Sequence, residues 1–197
     1  MTDKDLALEI AKGLVETGVE GPYNALSCST AGDYPSMGCS QWEGSRGDLL
    51  LSYIDGGSYF AGRTYSDIVN SGEAGQLKEL LSSDQGVAAQ QMILADDCLM
   101  YVEELKLVPG FWDSRCIIYA GIWCPTSHNV VRRFLQNRAE RNISDLETLK
   151  NIFAAEYARA ADCLEYAEGY YNRAVATFNY VAALELSKYD VPRYIGG

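Results

Sequence analysis

Residues 20–43 set out, in order, Glu20, Tyr23, Asp33, Ser36 and the run Gln41-Trp42-Glu43. Three carboxylates, a hydroxyl, an amide and two aromatic rings are the inventory of a carbohydrate-cleaving cleft. Breaking a glycosidic bond needs one carboxyl that is protonated at the working pH, to protonate the leaving oxygen. It also uses a second carboxylate, which activates water or stabilises an oxocarbenium-like transition state. Aromatic rings stack on sugar faces and amides orient hydroxyls. Glu20 is the better acid, since it stands at a helix end beside Val19, Pro22 and Tyr23, where partial desolvation raises a carboxyl pKa. Asp33 and Glu43 are the candidates for the charged partner. Against each stands the ordinary role of a solvated surface carboxylate, which most of the 27 acidic residues must have.

Those residues need elements to hold them. Thr2 to Thr17 reads as a helix: Thr2 and Asp5 have capping-box spacing, Leu6, Ile10 and Leu14 with Ala7, Ala11 and Val15 form an apolar stripe, and Gly18 is a stop. Residues 18–41 are dense in Gly, Pro, Ser, Asn and Asp, with Gly32-Asp33 and Tyr34-Pro35 as turn signals, so they read as loop or short hairpin. A long polar loop in a compact domain is uncommon unless it carries function. Helical periodicity resumes over Trp42 to Ile54, over one or two short helices in 64–81, and over Asp84 to Leu105. Trp112 to Ile122 reads as a buried helix ended by Pro125, and Val130 to Asn142 as an amphipathic basic helix. Ser144 and Glu147 have capping-box spacing, and the helical pattern then runs to Ser187 with Gly169 as its break. The tail after Tyr189 reads as irregular. The expectation is one mostly helical domain over 1–197, with a small non-helical lobe near 22–40.

Composition removes other classes. The 197 residues, 48% hydrophobic and 22% charged, suffice for one domain with a sizeable core. A net charge of -11 argues against nucleic acid and against an anionic membrane surface. No apolar run is long enough to span a bilayer, and the N-terminus lacks the pattern of a secretory signal. The six cysteines form no C-x-x-C pair, so they read as reduced, mostly buried thiols. One histidine, His128, makes neither a metal site nor a ready triad, and no metal or organic cofactor is expected.

The stretch from Glu20-Gly-Pro-Tyr-Asn-Ala-Leu through Asp33 to Tyr-Pro-Ser-Met-Gly-Cys-Ser-Gln-Trp-Glu-Gly resembles the signature of phage lysozyme-like lytic domains. It is similar, more loosely, to goose-type lysozymes and lytic transglycosylases. The resemblance implies a helical lobe and a small β-hairpin lobe flanking a cleft. It matches Glu20 to the catalytic acid, and Asp33 and Glu43 to the two aspartates of goose-type lysozyme. It matches Tyr23 and Gln41 to cleft-lining positions, with Ser36 and Trp42 in the same substrate-binding run. Phage members often carry His where Glu43 stands, which leaves the second carboxylate open: Asp33 and Glu43 share the role, or only one of them serves. Cys28 and Cys39, flanking Asp33, are candidates for a disulfide across the hairpin.

The function so implied is muramidase-type hydrolysis of the MurNAc–GlcNAc bond of peptidoglycan, by a protein of phage or prophage origin. Such a protein is made in the cytoplasm and acts at the bacterial wall, alone or with other domains or subunits of a phage lytic or tail assembly. In an inverting reaction the paired carboxyls stand about 6.5–9.5 Å apart. Lytic transglycosylation needs only one acid. A chitosanase-like hydrolase suits the negative charge, and a non-catalytic glycan-binding module is the reading from another class. In a third, residues 18–44 are only a connecting loop. The arginines of 132–141 read as paired on a solvated face. Tyr53, Tyr59 and Tyr65 are candidates for a groove border, and Tyr166, Tyr170 and Tyr171 for packing along the last helix.

Overall fold

The computed structural model describes residues 1–189, the side chain of Thr126 excepted. The protein is mainly helical with one two-stranded antiparallel sheet. Its contacts divide it into two compact units. One joins Met1–Thr17 to the chain from Ala95 onward, and the other is Gly18–Leu94, so the division falls inside a helix. The tail after Tyr189 lies outside the described residues.

In the first unit, α1 (Asp3–Glu16) starts at Thr2 with the expected capping box, the Asp5 carboxylate accepting from Thr2 N at 2.7 Å. Its stripe of Leu6, Ala7, Ile10, Ala11 and Leu14 is buried. It packs on α6 (Ser114–Gln136) through small residues: a Cβ on Gly13 would sit 2.4 Å from Ile122 Cδ1, and one on Gly121 2.3 Å from Ile10 Cδ1. Cys116 to Cys124 are all buried, as the apolar run demands, but Trp112 lies before the helix and is 75% exposed. The helical backbone runs through Pro125 and breaks two residues later, at Ser127 (φ -172°, ψ 101°), whose Oγ accepts from Val130 N at 3.4 Å as a cap for the segment that follows.

Helix α7 (Leu146–Ala160) is capped by Asp145, whose Oδ1 accepts from Thr148 N at 2.8 Å. This corrects the Ser144–Glu147 box: Ser144 Oγ instead donates to Gly110 O at 2.7 Å and accepts from Trp112 N. Helix α8 (Ala167–Ala182) is separate from α7, with the break at the left-handed Asp162 (φ 56°), and Gly169 is an ordinary helical residue. The core here is aromatic. Trp123 stands 4.7 Å from Tyr157 and 4.8 Å from Phe153, ring centre to ring centre, each such pair adding about 1 kcal/mol beyond area burial. Tyr170 joins this cluster, 5.4 Å from Tyr157, whereas Tyr166 and Tyr171 are exposed. Three of the four arginines in 132–141 are paired as expected, Arg132 with Glu104 and both Arg138 and Arg141 with Glu156.

In the second unit, β1 (Leu26–Cys28) and β2 (Pro35–Met37) form the expected hairpin, registered Leu26 to Met37, Ser27 to Ser36 and Cys28 to Pro35. Helix α2 (Gly44–Ser52) begins two residues later than its periodicity implied, because Trp42 still pairs as a bridge with Met37. Helices α3 (Tyr65–Asn70) and α4 (Ala74–Ser82) follow, and α5 (Asp84–Lys106) begins here. Leu50, Leu51, Phe60, Ile68, Leu77 and Leu81 supply the apolar core. Among the described residues, no helix is long and apolar enough to cross a membrane.

Candidate active site

After α1 the chain is turned by Gly18 at φ 72°, which a glycine adopts without steric cost, and Glu20 follows in the loop. Gly21 N donates to Cys39 O at 2.9 Å, and a Cβ on Gly21 would lie 3.3 Å from that oxygen. This close approach draws Glu20 to the turn that follows β2. The turn itself is closed by reciprocal bonds between Met37 and Trp42 of 3.0 and 2.8 Å.

Gln41 holds the turn to the hairpin. Its backbone is left-handed (φ 52°), a conformation that costs a non-glycine residue about 1 kcal/mol. The side chain offsets this: Oε1 accepts from Ser27 Oγ at 2.7 Å and Ser36 Oγ at 3.2 Å, while Nε2 donates to Gly38 O at 3.0 Å. Below the turn, the fully buried Gln90 of α5 accepts from Cys39 N at 2.9 Å. Its amide donates to Leu81 O and Gly86 O at 2.8 and 3.2 Å. Gly38 (φ 73°) must be glycine here, since a Cβ would stand 2.4 Å from Gln90 Oε1.

Glu20 lines an open groove of about 590 Å³ that lies wholly within this unit, with Asn24, Ser27, Cys39, Gln41 and Lys78 among its walls. Glu20 is half-buried, and loss of solvent pushes its pKa up from the ordinary glutamate value. The buried Ser40 hydroxyl, which makes no hydrogen bond of regular geometry, offsets this only in part. The Cys39 thiol is pushed up to about 12, first by burial and then by the Glu20 charge beside it. The groove therefore holds one carboxyl with a raised proton affinity, flanked by a neutral thiol, an amide and a hydroxyl.

The other candidates are placed differently. Asp33 is exposed and anchors the start of α3, its Oδ1 accepting from Ser66 N at 2.9 Å. These bonds to the helix start hold its pKa below the usual aspartate value. Glu43 accepts from Ser29 Oγ at 2.7 Å at the entry to α2. Neither is among the groove's lining residues. Ser36 is buried and serves Gln41, donating to its backbone oxygen at 3.3 Å as well as to the amide. Tyr23 is half-buried, its hydroxyl accepting from Gln91 Nε2 at 3.0 Å. Trp42 is only 5% exposed: it belongs to the core, so it is no stacking platform in this structure. With the side chain almost wholly buried, neither face of the ring is left for a sugar to cover.

Cys28 and Cys39 are both free thiols. Cys28 faces Pro35 in the ladder, while Cys39 lies past the end of β2, in the turn, so the hairpin does not bring them opposite each other. Tyr59, proposed for the groove border, is engaged elsewhere, donating to Glu73 Oε1 at 2.6 Å. Tyr53 and Tyr65 are not among the groove's lining residues.

Residue types alone did not single out Asn24, Ser27, Lys78 or Gln90. Gln90 left one trace, an amide on the otherwise apolar face of a long helix. A larger cavity, about 780 Å³, lies between α6 and α7 and is lined by Arg133, Arg138, Glu156 and Arg159. Among the described residues its one carboxylate, Glu156, is tied up by arginines, unlike Glu20. Among the described residues, no group of three or more His, Cys, Asp or Glu is arranged to hold a metal ion. No protein-family model, curated protein or solved structure matches this chain.

Proposed function

We propose that this protein is a lysozyme-like glycosidase that cleaves the MurNAc–GlcNAc bond of peptidoglycan, with Glu20 as the general acid. One observation carries the reading: a half-buried glutamate with raised proton affinity lines an open groove whose other walls offer hydrogen-bonding groups suited to sugar hydroxyls. The Glu20 proton passes to the glycosidic oxygen as the C1–O bond breaks, leaving an oxocarbenium-like sugar and a Glu20 carboxylate. In hydrolysis, water adds to C1 and a carboxylate takes its proton, a role proposed for Glu43, Asp33 or both, although neither is among the groove's lining residues.

A second reading has its own support. Among the described residues Glu20 is the one carboxylate lining the groove, and both other candidates already serve backbone or hydroxyl partners. Lytic transglycosylation requires no second carboxylate. The C6 hydroxyl of the same muramic residue attacks C1, its proton returns to Glu20, and the product is a 1,6-anhydro sugar.

Incubation with purified sacculi separates the readings by mass spectrometry. New reducing ends indicate hydrolysis, anhydro ends indicate transglycosylation, and intact sacculi that retain the protein indicate binding alone. Glu20→Gln is expected to lower the lysis rate at least about 100-fold with an unchanged far-UV spectrum, within the range for loss of a general acid. Lysis by Glu20→Gln at the parent rate in a turbidity assay removes the assignment.

A further inference from the structure

The groove that Glu20 lines also presents a cation. Lys78, exposed on α4, is one of its lining residues, and its ammonium forms no ion pair among the described residues. Arg63 in the same unit shows the alternative, held between Asp67 at 2.6 Å and Glu73 at 2.7 Å. The ionisable groups on the groove wall are thus Glu20, the Cys39 thiol and Lys78. While Glu20 holds its proton and the thiol is neutral, Lys78 supplies the only formal charge on that wall among the described residues. It does so in a chain whose net charge is -11.

A positively charged wall favours a ligand that carries a fixed anion and disfavours a polycationic glycan such as chitosan. We propose that Lys78 is a specificity-determining residue that receives a carboxylate of the bound glycan strand. This deepens the glycosidase reading and rests on it for the substrate, but the contact itself is one of binding and needs no turnover. In peptidoglycan the carboxylate has two sources: the lactyl group of a muramic residue without a peptide, or the stem peptide.

The test uses the full chain carrying Glu20→Gln, so that no probe is consumed, and calorimetric titration with three tetrasaccharides. One is a peptide-free GlcNAc–MurNAc repeat with free lactyl carboxylates, one is the same repeat bearing stem peptides, and one is N-acetylchitotetraose, which has no carboxylate. Adding Lys78→Met is expected to weaken binding of a carboxylate probe about fivefold, the size of a partly exposed ion pair, and to leave N-acetylchitotetraose unchanged. Lys78→Arg restores the affinity. Loss on the peptide-free probe assigns the lactyl carboxylate, and loss confined to the peptide-bearing probe assigns the stem peptide. Equal loss on charged and neutral probes, no loss, or no binding of any probe overturns the proposal. The two readings fail separately. Lysis by the native chain with affinity indifferent to Lys78 strikes only the role of Lys78. Lys78-dependent binding without any lysis strikes only the glycosidase.

Discussion

Glu20 is held where its two protonation states differ in cost, because solvent is partly withdrawn from it and, among the described residues, no cation is paired with it to offset the charge. Its folded pKa lies above the unfolded value, so the fold disfavours the ionised form. The resulting penalty is absent below the ordinary glutamate range and fully present above the raised pKa. Two outcomes follow. Urea unfolding over a pH series should find Glu20→Gln more stable than the native chain at neutral pH, with the gain vanishing as pH falls below the usual glutamate value. The lysis rate should decline as pH rises through the raised pKa. A profile whose alkaline limb falls at the ordinary glutamate pKa would contradict the desolvated acid. Asp33 is the opposite case: bonds from the start of α3 favour its charged form, so its contribution is present at neutral pH and lost as pH falls through its lowered pKa.

The groove wall depends on elements distant in sequence. The turn bearing Ser40 and Gln41 is fixed from below by Gln90, which ties it to the end of α4 through Cys39 N and Leu81 O. Replacing that amide with a group of similar size leaves buried backbone donors and acceptors without partners, at about 1–3 kcal/mol for each group. Gln90→Leu is therefore expected to destabilise the chain by about 2–3 kcal/mol in urea unfolding, and to slow lysis under conditions where the variant is still folded. A stable variant with full activity would show that the turn holds its shape without the clamp. The helices are bounded by local chemistry of the same kind, as at Thr2 and Asp145, but a local pattern that fits is not always the one used. Ser144 meets the spacing of a cap and is diverted by Gly110 O.

For the whole molecule, the net charge of -11 opposes approach to a polyanionic wall over distances beyond the groove. Raising ionic strength from about 0.01 M to about 0.15 M shortens the screening length from about 30 Å to about 8 Å. The initial rate of sacculus lysis is expected to rise over that interval. A rate that falls steadily from the lowest salt would mean that attraction at local cationic surface outweighs the global repulsion. Neither unit relies on a disulfide among the described cysteines: one is built around Trp123, Phe153 and Tyr157, the other around Leu50, Phe60 and Leu77.

The residue order by itself determined the helical class, the hairpin, the stripe of α1 and the position of Glu20 just beyond it. Each of these is written in spacing over a few residues: a cap, a stop, a repeat of three and four. Only the tertiary structure decided that Trp42 is core, that Asp33 starts α3, that α7 and α8 part at Asp162, and that Gln90 and Lys78 belong with Glu20. These outcomes join positions as far apart as 33 and 66, or 39 and 90. Which partner a polar or aromatic side chain meets at that separation is set by how buried surfaces fit together, and short-range spacing carries no record of that fit.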